Sequence, residues 1–393
     1  MQQDPIVIVG MARTPMGGFM GDLSAVKTTE LGSVAIKAAV ERAGLNSDDI
    51  DALIMGCVLP AALGQAPARQ AGLGADLSLT TDCTTINKVC GSGMKSVMLA
   101  RDSLVAGSQT VVVAGGMENM SSAPHMLPKA RSGYRFGHGE LLDHMAFDGL
   151  EDAYEGQAMG VYAELCADRY SFTREQQDEY ALRSLSRAQA AMEAGSFDTE
   201  LVPVTIKTRK GEVVVANDEQ PPKARPDKIP ALPPAFKKGG TVTAANASSI
   251  SDGAAALVLM RQSECEKRGL TPLAKIIGQT SYGQKPAEFT LAPVSAIKNL
   301  LEQVSWSVDD VDLFEINEAF AVVTMAAIQE LGLDAEKVNI HGGACALGHP
   351  IGASGARILV TLIAALQNQK KKQGVAALCI GGGEAVAMAV EVF

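Results

Sequence analysis

The sequence predicts an α/β fold made of two copies of one unit, with a different segment set between them. Three observations lead there. Short apolar runs alternate with stretches of helical periodicity, fragments recur in the same order in the two halves, and residues 120–250 have a texture of their own.

The apolar runs at 6–9, 52–58, 110–114, 255–260, 274–277, 376–380 and 385–392 are short and bounded by polar residues or glycine, as buried strands are. Helices are expected at 31–43, 93–106, 175–194, 293–303 and 354–367, where apolar residues return at about 3.6-residue spacing. Alternation of this kind is the pattern of an α/β protein with largely covered sheets.

The repeat supports duplication. Ala35-Ile36-Lys37 returns as Ala296-Ile297-Lys298, and Asp48-Asp49-Ile50-Asp51 as Asp309-Asp310-Val311-Asp312, both 261 residues later. Residues 111–118 (VVVAGGME) are echoed by 377–384 (ALCIGGGE), and each half has a glycine-rich helix start, Gly91-Ser92-Gly93 and Gly352-Ala353-Ser354-Gly355. Two copies of one unit have a pseudo-twofold axis, near which equivalent loops can meet.

The middle segment holds a proline-rich run and a basic window. Residues 207–238 carry eight basic residues (Lys207, Arg209, Lys210, Lys223, Arg225, Lys228, Lys237, Lys238) against Glu212, Asp218, Glu219 and Asp227. The window reads either as a solvated loop or as a handle for a phosphorylated ligand.

Composition narrows the classes. The 393 residues are 47% hydrophobic and 20% charged, enough apolar material for a large core and unlike a disordered chain. Net charge is −10, which argues against nucleic-acid binding through the overall field. No stretch reaches the ~18 uninterrupted apolar residues of a membrane span. MQQDPIVIVG lacks a basic start followed by an apolar segment, so a cytoplasmic protein is expected. Seven cysteines with no CxxC pair suggest neither a disulfide framework nor a metal centre.

Four motifs carry chemistry. In Asn87-Lys88-Val89-Cys90-Gly91-Ser92-Gly93-Met94 a cysteine sits at an expected strand-to-helix junction. A helix start beside the sulfur should favour the thiolate, and its N–H groups can hold an oxyanion. In residues 341–357 (HGGACALGHPIGASGAR), His349 is wedged between Gly348 and Pro350, a fixed place for an imidazole that takes a proton. Cys379 ends a strand and opens into three glycines, Gly381 to Gly383, and Glu315-Ile316-Asn317-Glu318-Ala319-Phe320-Ala321 sets polar groups in an apolar context.

CGSG, NEAFA, GHPIGASGAR and CIGGGE, in this order and spacing, resemble the thiolase family, and the match runs from Arg13-Thr14-Pro15 to the C-terminus. The resemblance implies the thiolase fold: two βαβαβαββ halves forming a layered α/β/α/β/α core with an inserted loop domain. It divides the chain into an N-terminal half (1–120 plus 250–270), a coenzyme A-binding insertion (121–249) and a C-terminal half (271–393). It implies an acetyl-CoA C-acyltransferase that reversibly condenses two acetyl-CoA to acetoacetyl-CoA and CoA, by a ping-pong route through an acyl-cysteine. Coenzyme A is substrate and product, no cofactor is required, and a homo-oligomer, dimer or tetramer, is expected.

The resemblance also assigns roles. Cys90 is the acyl-carrying nucleophile. His349 activates it and contributes to an oxyanion hole completed by a water on Asn317. Cys379 moves the α-carbon proton, and the N–H groups of Cys90 and Gly381 form the second hole. Residues 241–248 match the stretch along the pantetheine arm, with Ser248 as the polar contact beside Ala244 and Ala247. Leu150, Met159, Phe236 and Phe320 match apolar positions along the pantetheine and acyl group, each equally readable as plain core. Lys223 or Arg225 is the candidate for the nucleotide.

Two departures touch specificity. Ala158-Met159-Gly160 stands where many biosynthetic thiolases have His-Met-Gly, and Phe289-Thr290-Leu291-Ala292-Pro293 replaces a Met-Gly loop. The latter resembles the mitochondrial, potassium-responsive acetoacetyl-CoA thiolase. Tyr154, Ala244, Ala245 and Ala247 match its potassium-site positions, leaving potassium activation an open expectation. A broader-chain 3-ketoacyl-CoA thiolase, a ketoacyl-synthase-like condensing enzyme and a non-catalytic CoA- or lipid-binding relative are the alternatives. Cys379 disfavours the second, and the joint presence of Cys90, His349 and Cys379 disfavours the third. Cys57, Cys83, Cys166 and Cys265 read as structural, Cys345 has no assigned chemistry, and His125, His138, His144 and His341 lack metal-ligand spacing.

Overall fold

The computed structural model describes residues 4–209 and 211–393. Lys210, counted in the basic window, lies outside them. One ten-stranded sheet organises the chain. From edge to edge it runs Leu313–Ile316, Gln373–Ile380, Glu384–Val392, Ala274–Gly283, Ile6–Arg13, Ser251–Arg261, Val111–Asn119, Ala52–Gly56 and Asp82–Ile86; Gly17–Gly18 pairs alongside Ser251–Arg261. Every strand expected from the apolar runs is present.

The sheet has a narrow waist. Ile6–Arg13 meets Ala274–Gly283 at only two residue pairs, Val7 with Lys275 and Ile8 with Ala274. On either side the order is the same: a central strand, an antiparallel neighbour from later in the chain, then parallel strands outward. Both waist strands also carry a register shift at the same place, after Ile8 and after Ile276.

The sequence repeat has a structural meaning. Asp51 Oδ2 accepts the N–H groups of Thr110 and Val111. Asp312 Oδ2 accepts those of Lys372 and Gln373. In each half this carboxylate fixes the start of the next strand, a local demand that keeps aspartate at both places.

Three apolar clusters define five layers. One lies between helix Thr28–Arg42 with Pro67–Gly74 and the outer face of the N-terminal strands. A second lies between helix Ala292–Val304 and the outer face of the C-terminal strands. The third fills the centre, where helices Ser92–Ala106 and Ser354–Asn368 pack against both inner faces. Ser354 to Leu366 are all buried, as a helix covered on every side requires.

The segment between the halves carries helices Met159–Tyr170 and Arg174–Glu193, the two-stranded ribbons His125–Met126 with Leu142–Asp143 and Val204–Thr208 with Gly211–Val215, and coil. A buried ionic group fastens it to the first strand. Arg13, fully buried, donates to Asp218 through two nitrogens at 2.7 and 2.9 Å and to Glu200 through Nε, and lies 4.9 Å from the Phe197 ring centroid. Removing one member would strand a charge in the interior. Among the described residues no helix is long and apolar enough to cross a membrane.

The central helices cross where neither has a side chain. A methyl group on Gly355 would come within 2.3 Å of Met94 N, and one on Gly93 within 2.7 Å of Ala356 N. Backbone cannot swing aside as a flexible side chain can. Gly355→Ala should therefore lower stability by about 1–3 kcal/mol, the usual cost of overpacking. Urea unfolding measures this; an unchanged midpoint would show that the helices can separate without penalty.

Candidate active site

Cys90 stands on a strained turn between strand Asp82–Ile86 and helix Ser92–Ala106. Val89 just before it has φ +45°, a left-handed conformation that a β-branched residue adopts at a cost on the order of 1–3 kcal/mol. Side-chain bonds hold it there. Asn87 Oδ1 accepts the Val89 N–H at 2.9 Å, and Ser92 Oγ accepts the Lys88 N–H at 2.8 Å while donating to Val89 O at 2.7 Å.

Two backbone N–H groups, those of Cys90 and Gly381, point at the Cys90 sulfur. They are the pair assigned to the second oxyanion hole. The expected thiolate is corrected, however. Burial pushes the Cys90 thiol up to about 11, more than the two N–H donors pull it down, and the Glu118 carboxylate adds to the rise. At neutral pH Cys90 is a thiol.

His349 has the form of a base. It is buried, and burial, with Arg357 second, lowers its pKa to about 3, so the ring is neutral. Its tautomer follows from its neighbours. Ser354 Oγ spends its proton on Pro350 O at 2.9 Å and therefore accepts from His349 Nδ1–H at 2.5 Å. Nε2 is left bare, with no protein partner. Ile351, two residues on, packs in the same small cluster as Cys90, Val58, Leu59 and Leu150.

Cys379 is fully buried near the end of strand Gln373–Ile380. Burial raises its pKa well above the ordinary thiol range, and the nearby Cys90 sulfur raises it further. The strand turns back through Gly381, Gly382 and Gly383, the last two at φ +92° and +90°, which exposes the Gly381 N–H toward Cys90.

Asn317 is 1% exposed, and neither its Oδ1 nor its Nδ2 has a protein partner, although its backbone is fixed on Ala377 O. A buried amide left open on both atoms is arranged to receive something. Its neighbour Glu318 is saturated instead. Glu318 accepts from Tyr180 Oη, Ser184 Oγ, Asn339 Nδ2 and the Cys345 N–H, at 2.7–3.0 Å. It thus binds the Asn317 loop to the glycine-rich loop leading to His349.

The apolar candidates fall on two sides. Phe289, Phe320, Met159 and Ala247 pack in one cluster with Cys379. Phe320 lies edge-on to Phe236 at 6.0 Å and to Phe289 at 6.4 Å. The Ser248 N–H donates to Ala319 O, so Ala247 and Ser248 run beside the Asn317 loop. Leu150 lies in the other cluster, with Cys90.

Lys223 and Arg225, with Lys228, Ala244, Ala245 and Cys345, line a cavity of about 390 Å³. Lys223 is already paired with Glu219 at 2.7 Å. Of the potassium-site positions, Tyr154 is 75% exposed, while Ala244 and Ala245 line this cavity. Ser354 and Glu318 both lie inside the quoted motifs, where the motif pattern assigns neither a role. A serine at a helix start five residues after a histidine is the signal that could have found the first.

The site sits in a chain with clear relatives. The thiolase N-terminal domain model matches residues 6–263, and the thiolase C-terminal domain model matches 270–392. An acetyl-CoA acetyltransferase of Escherichia coli is 52% identical over 387 residues, covering 98% of each chain. One of Cupriavidus necator is 50% identical over 388 residues, covering 98% of this chain and 99% of that one. Among solved structures, the Bacillus anthracis acetyl-CoA acetyltransferase superposes with a TM-score of 0.97 at 43% identity, covering 100% of this chain and 99% of that one. The Ascaris suum Acat5 thiolase in complex with coenzyme A gives 0.94 at 44% identity, covering 99% and 100%. With both halves of the site and nearly every residue so matched, the chain belongs to the thiolase family.

Proposed function

We propose that this protein is an acetyl-CoA C-acetyltransferase, joining two acetyl-CoA into acetoacetyl-CoA and CoA and catalysing the reverse thiolysis. The observation that carries the reading is the set of groups around Cys90: two backbone donors on its sulfur, a second buried thiol, and a neutral imidazole with a bare Nε2.

The steps follow from these protonation states. Cys90 sulfur attacks the thioester carbon while His349 Nε2 takes its proton. The oxyanion is held by the N–H groups of Cys90 and Gly381. As the carbon–sulfur bond to CoA breaks, the Cys379 thiol protonates the leaving sulfur, and Cys90 is left acetylated. The Cys379 thiolate then removes the α-proton of a second acetyl-CoA, whose enolate oxygen is held by His349 Nε2–H and a water on Asn317. The α-carbon attacks the acetyl-Cys90 carbon, and collapse returns Cys90 as a thiol with the proton from His349.

The inserted segment, 121–249, is proposed to bind CoA. The basic cavity lining and the run of Ala247 and Ser248 beside the Asn317 loop support this, as does the CoA complex of the Ascaris relative. Reversing the charges of Lys223, Arg225 and Lys228 together should raise KM for CoA about tenfold and change kcat less. An unchanged KM at physiological salt would make the basic run a solvated face only.

Phe289 and Phe320 close the Cys379 side, so short acyl chains are the proposed substrates. Steady-state thiolysis over four to sixteen carbons checks this. A kcat/KM for 3-ketohexadecanoyl-CoA above that for acetoacetyl-CoA would reverse the assignment.

The two thiols should separate by mutation. Cys379→Ser removes an acid and base of thiol strength, so condensation should fall by at least ~100-fold, the scale of general acid–base catalysis. Acetylation of Cys90 should survive it, whereas Cys90→Ser should lose both. Mass spectrometry of the acetylated peptide, run beside the condensation assay, reads both steps. If Cys379→Ser leaves Cys90 unacetylated, the division of roles fails.

A further inference from the structure

We infer that Glu118 is a positioning residue for this reaction, a buried carboxylate that ties the loop of His349 to the walls of Cys90. The inference rests on the proposed reading, and the groups it joins belong to both halves of the chain.

Glu118 lies at the end of strand Val111–Asn119 and is fully buried. Three backbone N–H groups donate to it: Val58 and Gly352 to Oε2, each at 2.9 Å, and Leu59 to Oε1 at 3.1 Å. The Cys57 thiol also faces Oε1, at 3.7 Å. Val58 and Leu59 share a cluster with Cys90, and Val58 O accepts from Asn87 of the nucleophile turn at 3.4 Å. Gly352 is three residues past His349, and a methyl group there would stand 2.5 Å from Glu118 Oε2. Loops whose sequence positions differ by almost three hundred residues are thus held to one carboxylate.

The repeat gives this placement a counterpart. Glu118 and Glu384 close the matching echoes at 111–118 and 377–384. Glu384 Oε2 accepts from Lys88 Nζ at 2.7 Å, two residues before Cys90. Each half's glycine-rich strand end therefore supplies a carboxylate to the catalytic loop of the other half. Of the two, Glu118 is the buried one, and every partner around it is a donor. A glutamine would set its own N–H₂ against one of those donors. Burial raises the Glu118 carboxyl to about 7, and once ionised its charge reaches Cys90, whose thiol it holds up.

Glu118→Gln should lower kcat for acetoacetyl-CoA thiolysis at least tenfold, with KM for CoA within twofold. The pH profile of Cys90 alkylation by iodoacetamide should move to lower pH, because a negative charge near the sulfur is gone. A merely structural residue would not give both. Glu118→Asp keeps the charge and shortens the reach, so kcat should fall while the alkylation profile stays in place.

Wild-type kcat for Glu118→Gln overturns the inference, as does a fall in kcat matched by a rise in KM with an unmoved profile. If Glu118→Gln does not fold, Glu118→Asp decides by its kcat and KM alone. Wild-type protein without thiolysis would sink the acetyltransferase reading instead, and the alkylation profiles would still judge Glu118.

Discussion

Two buried helices touch backbone to backbone at Gly93 and Gly355, and the catalytic geometry depends on that contact. Cys90 stands at the start of one helix and His349 on the loop leading into the other. Without a Cβ at the crossing the helices approach closely, and packed interiors transmit small displacements with little loss. A methyl-sized separation there would carry the nucleophile and the imidazole apart together. The duplicated glycine-rich helix starts are therefore a condition for the site to form, beyond a record of common ancestry.

The candidate site also holds its three titratable groups uncharged. Burial raises both thiols and lowers the imidazole, so Cys90, Cys379 and His349 are all neutral at physiological pH. A permanent thiolate–imidazolium pair would need solvation that this interior does not offer. In the proposed reaction, what is built in advance is the set of donors that receive charge once bonds begin to change, above all the N–H groups of Cys90 and Gly381. Fixed dipoles of this kind need no reorganisation during the reaction.

Much of this was legible in the sequence. The central strands are short β-rich apolar runs, and the two aspartates of the repeat perform one structural task in both halves. Edge elements were harder to see. Asp82–Ile86 is polar and half exposed, Leu313–Ile316 has four residues, and helix Met159–Tyr170 lies in a stretch without a clean apolar stripe. The candidate triplet of Cys90, His349 and Cys379 could be named because glycine and proline neighbours mark it. The protonation state of Cys90 could not, since a helix start argues for thiolate and only the surrounding packing shows that burial wins. Glu118 carries no sign of its contacts in the sequence beyond the repeat, because its partners come from two distant places, residues 57–59 and Gly352.

The strand Ser251–Arg261 lies between Ile6–Arg13 and Val111–Asn119, bonded to both. A ribosome therefore releases the first and third of these strands long before the one that joins them exists. Until about residue 261 has emerged, the N-terminal half has two open strand edges and an uncovered apolar face, the form of nascent chain most prone to mispairing. Pairing over so long a stretch of sequence is slow, so the nascent half stays exposed until a strand encoded well past its own helices arrives. A cut anywhere before that strand would leave a sheet that cannot close.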